Sequence, residues 1–326
     1  MKKNITSSAV CTLFEGHYHY GVAGLVNSLY AQDFRGTIYA GYKGVLPFWA
    51  THLETIEFSR SKASLMQVAD NLQIIFVPLA TDYHLTNYKP DFMLEVWNNV
   101  PQHTDGIFYF DPDIVLVQNW IHMENWITCG IAISEDVNSP LQEFHPRRCA
   151  WRKFFSSHSI DLKFKNPIYV NGGFVGVYRN DIDFLHLWKK IQELVAIEIG
   201  GLNRSIFAKS DQLAEHVSGD FAPFGKTDQD ALNVTLEAYT KPISYGGKEV
   251  MGFENGLLII PHALGRRKPW MIHPFSEWIK GRKPKVADKA FWSNVSSPIN
   301  VYSVSKSKIM ALNIKLFSLL YRFYGK

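Results

Sequence analysis

Asp111 and Asp113 flank a proline directly after an apolar run, in the stretch "GIFYFDPD" that begins at Gly106. Two carboxylates this close repel each other unless a cation or a shared proton relieves them. Pro112 fixes its own backbone and restricts Asp111, so the turn that carries both acids is stiff. Oxygen ligands on a stiff turn suit a divalent cation. The plainer alternative is a strand end whose acids are solvated.

Three further stretches carry residues of chemical interest. "HALGRRKPW" begins at His262, just after the apolar run Leu257–Ile260, which reads as another strand. An imidazole can complete a site begun by two carboxylates, and Lys268, beyond the flexible Gly265, can hold phosphate oxygens. A basic surface loop is the alternative. In "YVNGGFVGVYR", Asn171 precedes Gly172 and Gly173, which let backbone approach a ligand closely. In "TDQDALN", Asp228, Gln229 and Asp230 crowd a helix start with Thr227 as its cap. Helix capping accounts for one of these polar residues, not for three. Hydroxyl-rich ligands call for such a set of donors and acceptors.

These residues need elements to position them. Ser8–Phe14, Thr37–Gly41, Leu72–Leu79, Gly106–Phe110 and Gly130–Ser134 read as strands. Tyr20–Gln32, Pro90–Asn99, Asp181–Glu198 and Thr227–Ala238 read as helices. Strands that are apolar throughout, alternating with helices, predict an α/β fold with a parallel sheet covered on both faces. Such sheets bind ligands beyond the carboxyl ends of their strands, where Asp111 and Asp113 fall. Ser139–Ser159 is aromatic and basic, without a clear period. No internal repeat or low-complexity linker divides the chain, which predicts one compact domain with a C-terminal appendage.

The four stretches, in this order, resemble the motifs of the family 8 retaining glycosyltransferases. That family pattern is a D-x-D after a strand, an N-x-G segment, a D-Q-D-x-L-N helix start and a final H-x-x-G-x-x-K-P-W. The resemblance implies a GT-A fold: a Rossmann-like mixed, mainly parallel sheet with flanking helices. It implies a catalytic domain over 1–285, with a nucleotide-sugar-binding half to about 135 and an acceptor half after it, and a tail over 286–326. Asp111, Asp113 and His262 would hold Mn²⁺ (or Mg²⁺) on the diphosphate of a nucleotide sugar, with Lys268 and the Gly265 loop on the same oxygens. Asn171, Gly172, Asp228 and Gln229 would bind the donor sugar, Gln229 nearest the anomeric carbon. Lys89 stands where the family often has an arginine facing the diphosphate, and it lacks the bidentate fork. The acids and amides usual after the first strand are here Glu15-Gly16-His17-Tyr18-His19. The expected reaction moves a hexose, by resemblance from a UDP-sugar, to a glycan or glycolipid acceptor with retention of configuration. Two other readings remain: a nucleotide-sugar-binding protein without turnover, and a haloacid-dehalogenase-like phosphatase. Asp111-Pro112-Asp113-Ile114-Val115 fits the phosphatase pattern D-x-D-x-[TV]. That motif usually follows the first strand, however, and no later paired-acid motif accompanies it.

Composition sets the remaining bounds. With 326 residues, 46% hydrophobic and 20% charged, the chain can bury a large core. Three widely spaced cysteines argue against a disulfide framework and for a reducing compartment. Lys2-Lys3 and the short apolar run that follows do not read as a signal peptide, and no run is apolar enough to span a membrane. Residues 262–326 hold 13 Lys/Arg against Glu277 and Asp288, a net +11, while the rest of the chain carries −7. Within residues 305–326, Lys308, Lys315 and Arg322 repeat every seven residues beside Ile309, Leu312, Leu316, Leu319, Leu320 and Phe323, with Tyr321 and Tyr324 at the edge. A basic amphipathic helix of this kind predicts a peripheral site on the cytoplasmic face of an anionic membrane, and no nucleic-acid partner.

Overall fold

The computed structural model describes residues 7–208, 210–219 and 221–324, so Lys2-Lys3 lies outside the described residues. In chain order the strands are β1 (Ser8–Glu15), β2 (Thr37–Lys43), β3 (Glu54–Phe58), β4 (Ser61–Ala69), β5 (Leu72–Pro78), β6 (Gly106–Phe110), β7 (Ile131–Ser134), β8 (Phe174–Tyr178) and β9 (Ile243–Gly246). The α-helices are α1 (His19–Ala31), α2 (Lys89–Trp97), α3 (Ile121–Ile127), α4 (Pro146–Ser156), α5 (Asp183–Ile199), α6 (Thr227–Ala238), α7 (Pro274–Ile279), α8 (Val286–Trp292) and α9 (Val304–Tyr324). The fold is mixed α/β, as the alternation of apolar strands and helices implies.

The chain divides into two compact units. The first comprises 1–78, 110–123 and 249–326; the second comprises 79–109 and 124–248.

In the first unit the strands lie in the order β3-β4-β5-β2-β1. β1 and β5 flank β2 in parallel, with Val10 opposite Ile38 and Ile38 opposite Ile74. β1 is buried over seven of its eight residues, which is why its apolar run does not alternate. The β3–β4 hairpin adds antiparallel strands at the edge, turning at Ser59 with φ of 55°. Val115, Ile272, Phe291, Trp292, Val295 and Ile314 build a separate buried cluster that anchors the C-terminal helices. Asn27 on α1 clamps Ile299 there, its amide both donating to and accepting from that backbone at 2.9 and 2.8 Å.

In the second unit the order is β6-β8-β7-β9, with β7 antiparallel to β8 and parallel to β9. α5 buries Phe184, Leu185, Trp188, Ile191 and Val195, the apolar face of its 3.6-residue period. Its C-terminus stops at Gly200, which takes the left-handed conformation that glycine adopts without cost.

Two local expectations fail. Thr227 is the first residue of α6, not its cap; Lys226 precedes it without a side-chain cap bond. Leu257–Ile260 forms no strand. The segment runs antiparallel beside Ile114–Val117 through a few backbone bonds and a single bridge between Ile114 and His262.

Candidate active site

In the first unit, the chain leaves β6 at Phe110 and turns through Asp111-Pro112-Asp113, closed by the Ile114 N–H donating to the Asp111 carbonyl at 3.1 Å. The residues after the turn then pair with the segment that carries His262. Val117 donates to Ile259 at 2.9 Å, Val115 to Pro261 at 3.3 Å, and Ala263 donates back to Asp113 at 3.1 Å. This ladder delivers the imidazole to the turn. His262 Nε2 lies 3.2 Å from Asp113 Oδ1 and 3.9 Å from Asp111 Oδ2. One ligand atom from each of the three residues falls within 4.8 Å of the other two. Asp113 and His262 are buried and Asp111 is partly exposed. His262 Nδ1 is buried without a hydrogen-bond partner.

Lys268 closes the other side. Its Nζ donates to Asp113 Oδ2 and, at 2.9 Å, to the Ala263 carbonyl. Burial pushes the Asp113 carboxyl up, but the charges of His262 and Lys268 outweigh it and hold the group well below the usual carboxylate range. Burial likewise opposes the Lys268 charge, and Asp113 reverses that and raises the ammonium above its ordinary value. Gly265 turns the loop between His262 and Lys268 at φ of 87°, a conformation that disfavours other residues. The turn is also held from α1. A Cβ on Gly21 would stand 2.2 Å from the Pro112 carbonyl oxygen, so only glycine lets the helix sit there. His17 and Tyr18 stack at 4.9 Å, and Trp270 Nε1–H donates to His17 Nδ1 at 2.9 Å.

Two carboxylates and an imidazole this close form a donor set that suits Mn²⁺ or Mg²⁺, and the repulsion between the acids is what a divalent cation relieves.

The second unit gathers the other site residues at the start of α6. Lys89 is buried, and its Nζ donates to Asp228 Oδ2 and to the Gly172 carbonyl, both at 2.8 Å. Gln229 Oε1 accepts the Gly172 N–H at 3.2 Å, while Gln229 Nε2 is buried without a partner. Asn171 donates to Asp136 Oδ2 at 2.6 Å and accepts the Gly173 N–H at 2.8 Å. A Cβ on Gly172 would meet Asp228 Oδ2 at 3.0 Å, tighter than an ordinary contact. Asn233 binds both the N–H and the carbonyl of Val170, fixing the segment that leads to Asn171.

The motif reading named Asp230 without giving it a role, and missed its partners Arg147 and Tyr169 as well as Asp136. Asp230 is fully buried; it accepts from Tyr169 Oη and the Lys226 N–H, each at 2.7 Å, and pairs with Arg147 at 3.4 Å. Burial pushes its carboxyl up to about 6, against the opposing pull of Arg147. Asp136 lies two residues past β7, so the acid-beyond-a-strand signal that singled out Asp111 was available for it too.

No family model and no curated protein matches the chain. Among solved structures it is similar to the galactosyltransferase LgtC in complex with donor and acceptor sugar analogues. The identity is 13%, the match covers 93% of this chain and 95% of that one, and the TM-score is 0.45. It is similar also to an active-site mutant of LgtC, at 12% identity, with the same two coverages and a TM-score of 0.46.

Proposed function

We propose that the chain is a metal-dependent glycosyltransferase of the GT-A type, moving a hexose from a nucleoside diphosphate sugar to a hydroxyl of a glycan or glycolipid. The observation that carries this reading is the convergence of Asp111, Asp113 and His262, with Lys268 seated on the same carboxylate. Two acids, an imidazole and a lysine make a site for a divalent cation and an anionic diphosphate together. Mn²⁺ held by Asp111, Asp113 and His262 would supply Lewis-acid stabilisation of charge on the departing diphosphate.

The remaining work belongs to the chain's own groups. Lys268 binds diphosphate oxygens and offsets their charge as the bond from the anomeric carbon to the leaving oxygen lengthens. Asp228 and Asn171 accept and donate hydrogen bonds to sugar hydroxyls. Lys89 and Asp136 hold those two side chains in place by the bonds described above. Gln229 presents its amide near the anomeric carbon, with its Oε1 fixed by the Gly172 N–H. The acceptor oxygen bonds to that carbon as the bond to the leaving diphosphate oxygen breaks, its proton passes to the departing diphosphate, and the configuration is retained. UDP is the expected nucleotide.

The chain would work at a membrane surface. α9 packs through Ile314 and Phe317, whereas Ile309, Leu312, Leu316 and Leu319 stand exposed along its other side. Among the described residues no helix is long and apolar enough to cross a membrane, so the contact proposed is a peripheral one on the cytoplasmic leaflet. The side chains of Arg322, Phe323 and Tyr324 lie outside the described residues.

A thermal-shift panel of nucleoside diphosphate sugars tests the reading, because a ligand that binds only the folded state raises the melting temperature. At least one sugar nucleotide stabilises the chain in the presence of Mn²⁺ and fails to do so with EDTA. A panel without any metal-dependent shift overturns the proposal.

A further inference from the structure

We infer that Lys268 is a built-in counter-cation for Asp113 that must release this carboxylate before a divalent metal can bind fully, so that metal and diphosphate enter the site together. The inference rests on the glycosyltransferase reading of the Asp111–Asp113–His262 cluster and adds an order of events to it.

Asp113 has two oxygens, and both are engaged: Oδ1 faces His262 Nε2 at 3.2 Å and Oδ2 accepts from Lys268 Nζ. The lysine is itself buried, with its side chain 8% exposed, so its charge has little water to fall back on. Its other bond runs to the Ala263 carbonyl, next to His262, and Ala263 in turn donates to the Asp113 carbonyl. The ammonium is therefore locked into the same short loop that carries the imidazole.

Three consequences follow from charge alone. Lys268 neutralises one of the two acids, so a metal ion arriving alone meets about half the negative charge that the residue types suggest. The ion is also repelled by an ammonium already in contact with one of its ligands. Once Asp113 turns to a metal, Lys268 needs another anion in hydrogen-bond reach, since its bond to Ala263 is to a neutral backbone carbonyl. A diphosphate supplies the missing anion: its oxygens can take the ammonium, which frees Asp113 for the metal. Gly265, in the left-handed conformation between His262 and Lys268, carries no Cβ into that loop.

Direct titration of Mn²⁺ into the full chain, followed by the electron paramagnetic resonance of the free ion, tests this without any turnover. Wild type binds Mn²⁺ weakly alone and about tenfold or more tightly when UDP is present. Lys268→Met removes the charge at similar length. It binds Mn²⁺ alone about tenfold more tightly than wild type, and the gain from UDP shrinks. Lys268→Arg keeps the charge and stays near wild type in the absence of UDP, which separates charge from packing. Circular dichroism confirms that each variant is folded. Wild type that tightens on Mn²⁺ with UDP, together with Lys268→Met that is no tighter than wild type without it, overturns the counter-cation role alone. Wild type that binds no Mn²⁺ even with UDP overturns the metal site itself, and this inference with it.

Discussion

Asp113 stays ionised in a buried place because His262 and Lys268 flank it. Asp113→Asn keeps the size of the side chain and removes its charge. Metal-dependent transfer should fall by about a hundredfold or more, with the far-UV circular dichroism unchanged. Activity near wild type would remove Asp113 from the metal ligands. Asp136 reaches the proposed sugar site through its bond to Asn171. Its replacement by alanine leaves that amide without its 2.6 Å anchor and should lower kcat/KM for the donor by about tenfold to a hundredfold. Steady-state kinetics in both donor and acceptor check this, since a merely structural loss would not single out the donor. Asp230 makes a prediction about pH. Burial raises its folded pKa from 3.8 to about 6, so the native state holds this proton over a range where the unfolded chain has lost it. Stability from this group is therefore full below pH 3.8 and declines as pH rises through about 6, by a total of about 3 kcal/mol. Urea unfolding at pH 4 and pH 7 measures it: Asp230→Asn should lose that part of the pH dependence, and an unchanged difference would show that the carboxyl is ionised throughout.

At the scale of elements, the turn that carries the two aspartates is held by α1 at its narrowest point. Gly21→Ala places a methyl 2.2 Å from the Pro112 carbonyl, so α1 or the turn must move. The cost should be about 1–3 kcal/mol of stability, with weaker Mn²⁺ binding as the turn shifts. A variant with wild-type melting and metal affinity would mean that the helix adapts elsewhere. The elements that place the site were largely legible in the sequence. β6 was expected over Gly106–Phe110 and lies there, and β1, β2, β5, α1 and α5 differ from their expected bounds by a residue or two. These are buried on most of their length, so their apolar runs announce them. β3 and β4 gave no such signal, because β3 is the edge strand and exposes most of its side chains, and β4 beside it buries only two of its nine. The site was legible as residue types rather than as contacts. Asp113 and Lys268 are 155 positions apart, and nothing in the local pattern says that they touch. Arg147 and Tyr169 were invisible for the same reason: they matter only as the partners of Asp230. Leu257–Ile260 looked like a strand because it is apolar, but its backbone bonds are shared out between Val117 and Val250 and never become a regular ladder.

Over the whole chain, charge is divided between a basic C-terminal segment of +11 and a remainder of −7. The exposed row Ile309, Leu312, Leu316 and Leu319 belongs to that basic segment. A chain ending near Asn300 should lose sedimentation with anionic vesicles at low salt while still using a soluble acceptor. Truncation will also uncover the surface that Ile314 fills, so melting must be followed in parallel. Vesicle binding that survives truncation would place the membrane contact elsewhere. All of this depends on the chain being a metal-dependent transferase of sugars, and one assay tests that most directly. The full-length protein is incubated with a set of nucleoside diphosphate sugars and Mn²⁺, and the release of free nucleoside diphosphate is measured with and without EDTA, for wild type and Asp113→Asn. Release from at least one sugar nucleotide, abolished by EDTA and by the substitution, is the predicted result. No release from any of them, with aryl phosphate hydrolysis that disappears in Asp111→Asn instead, would contradict it.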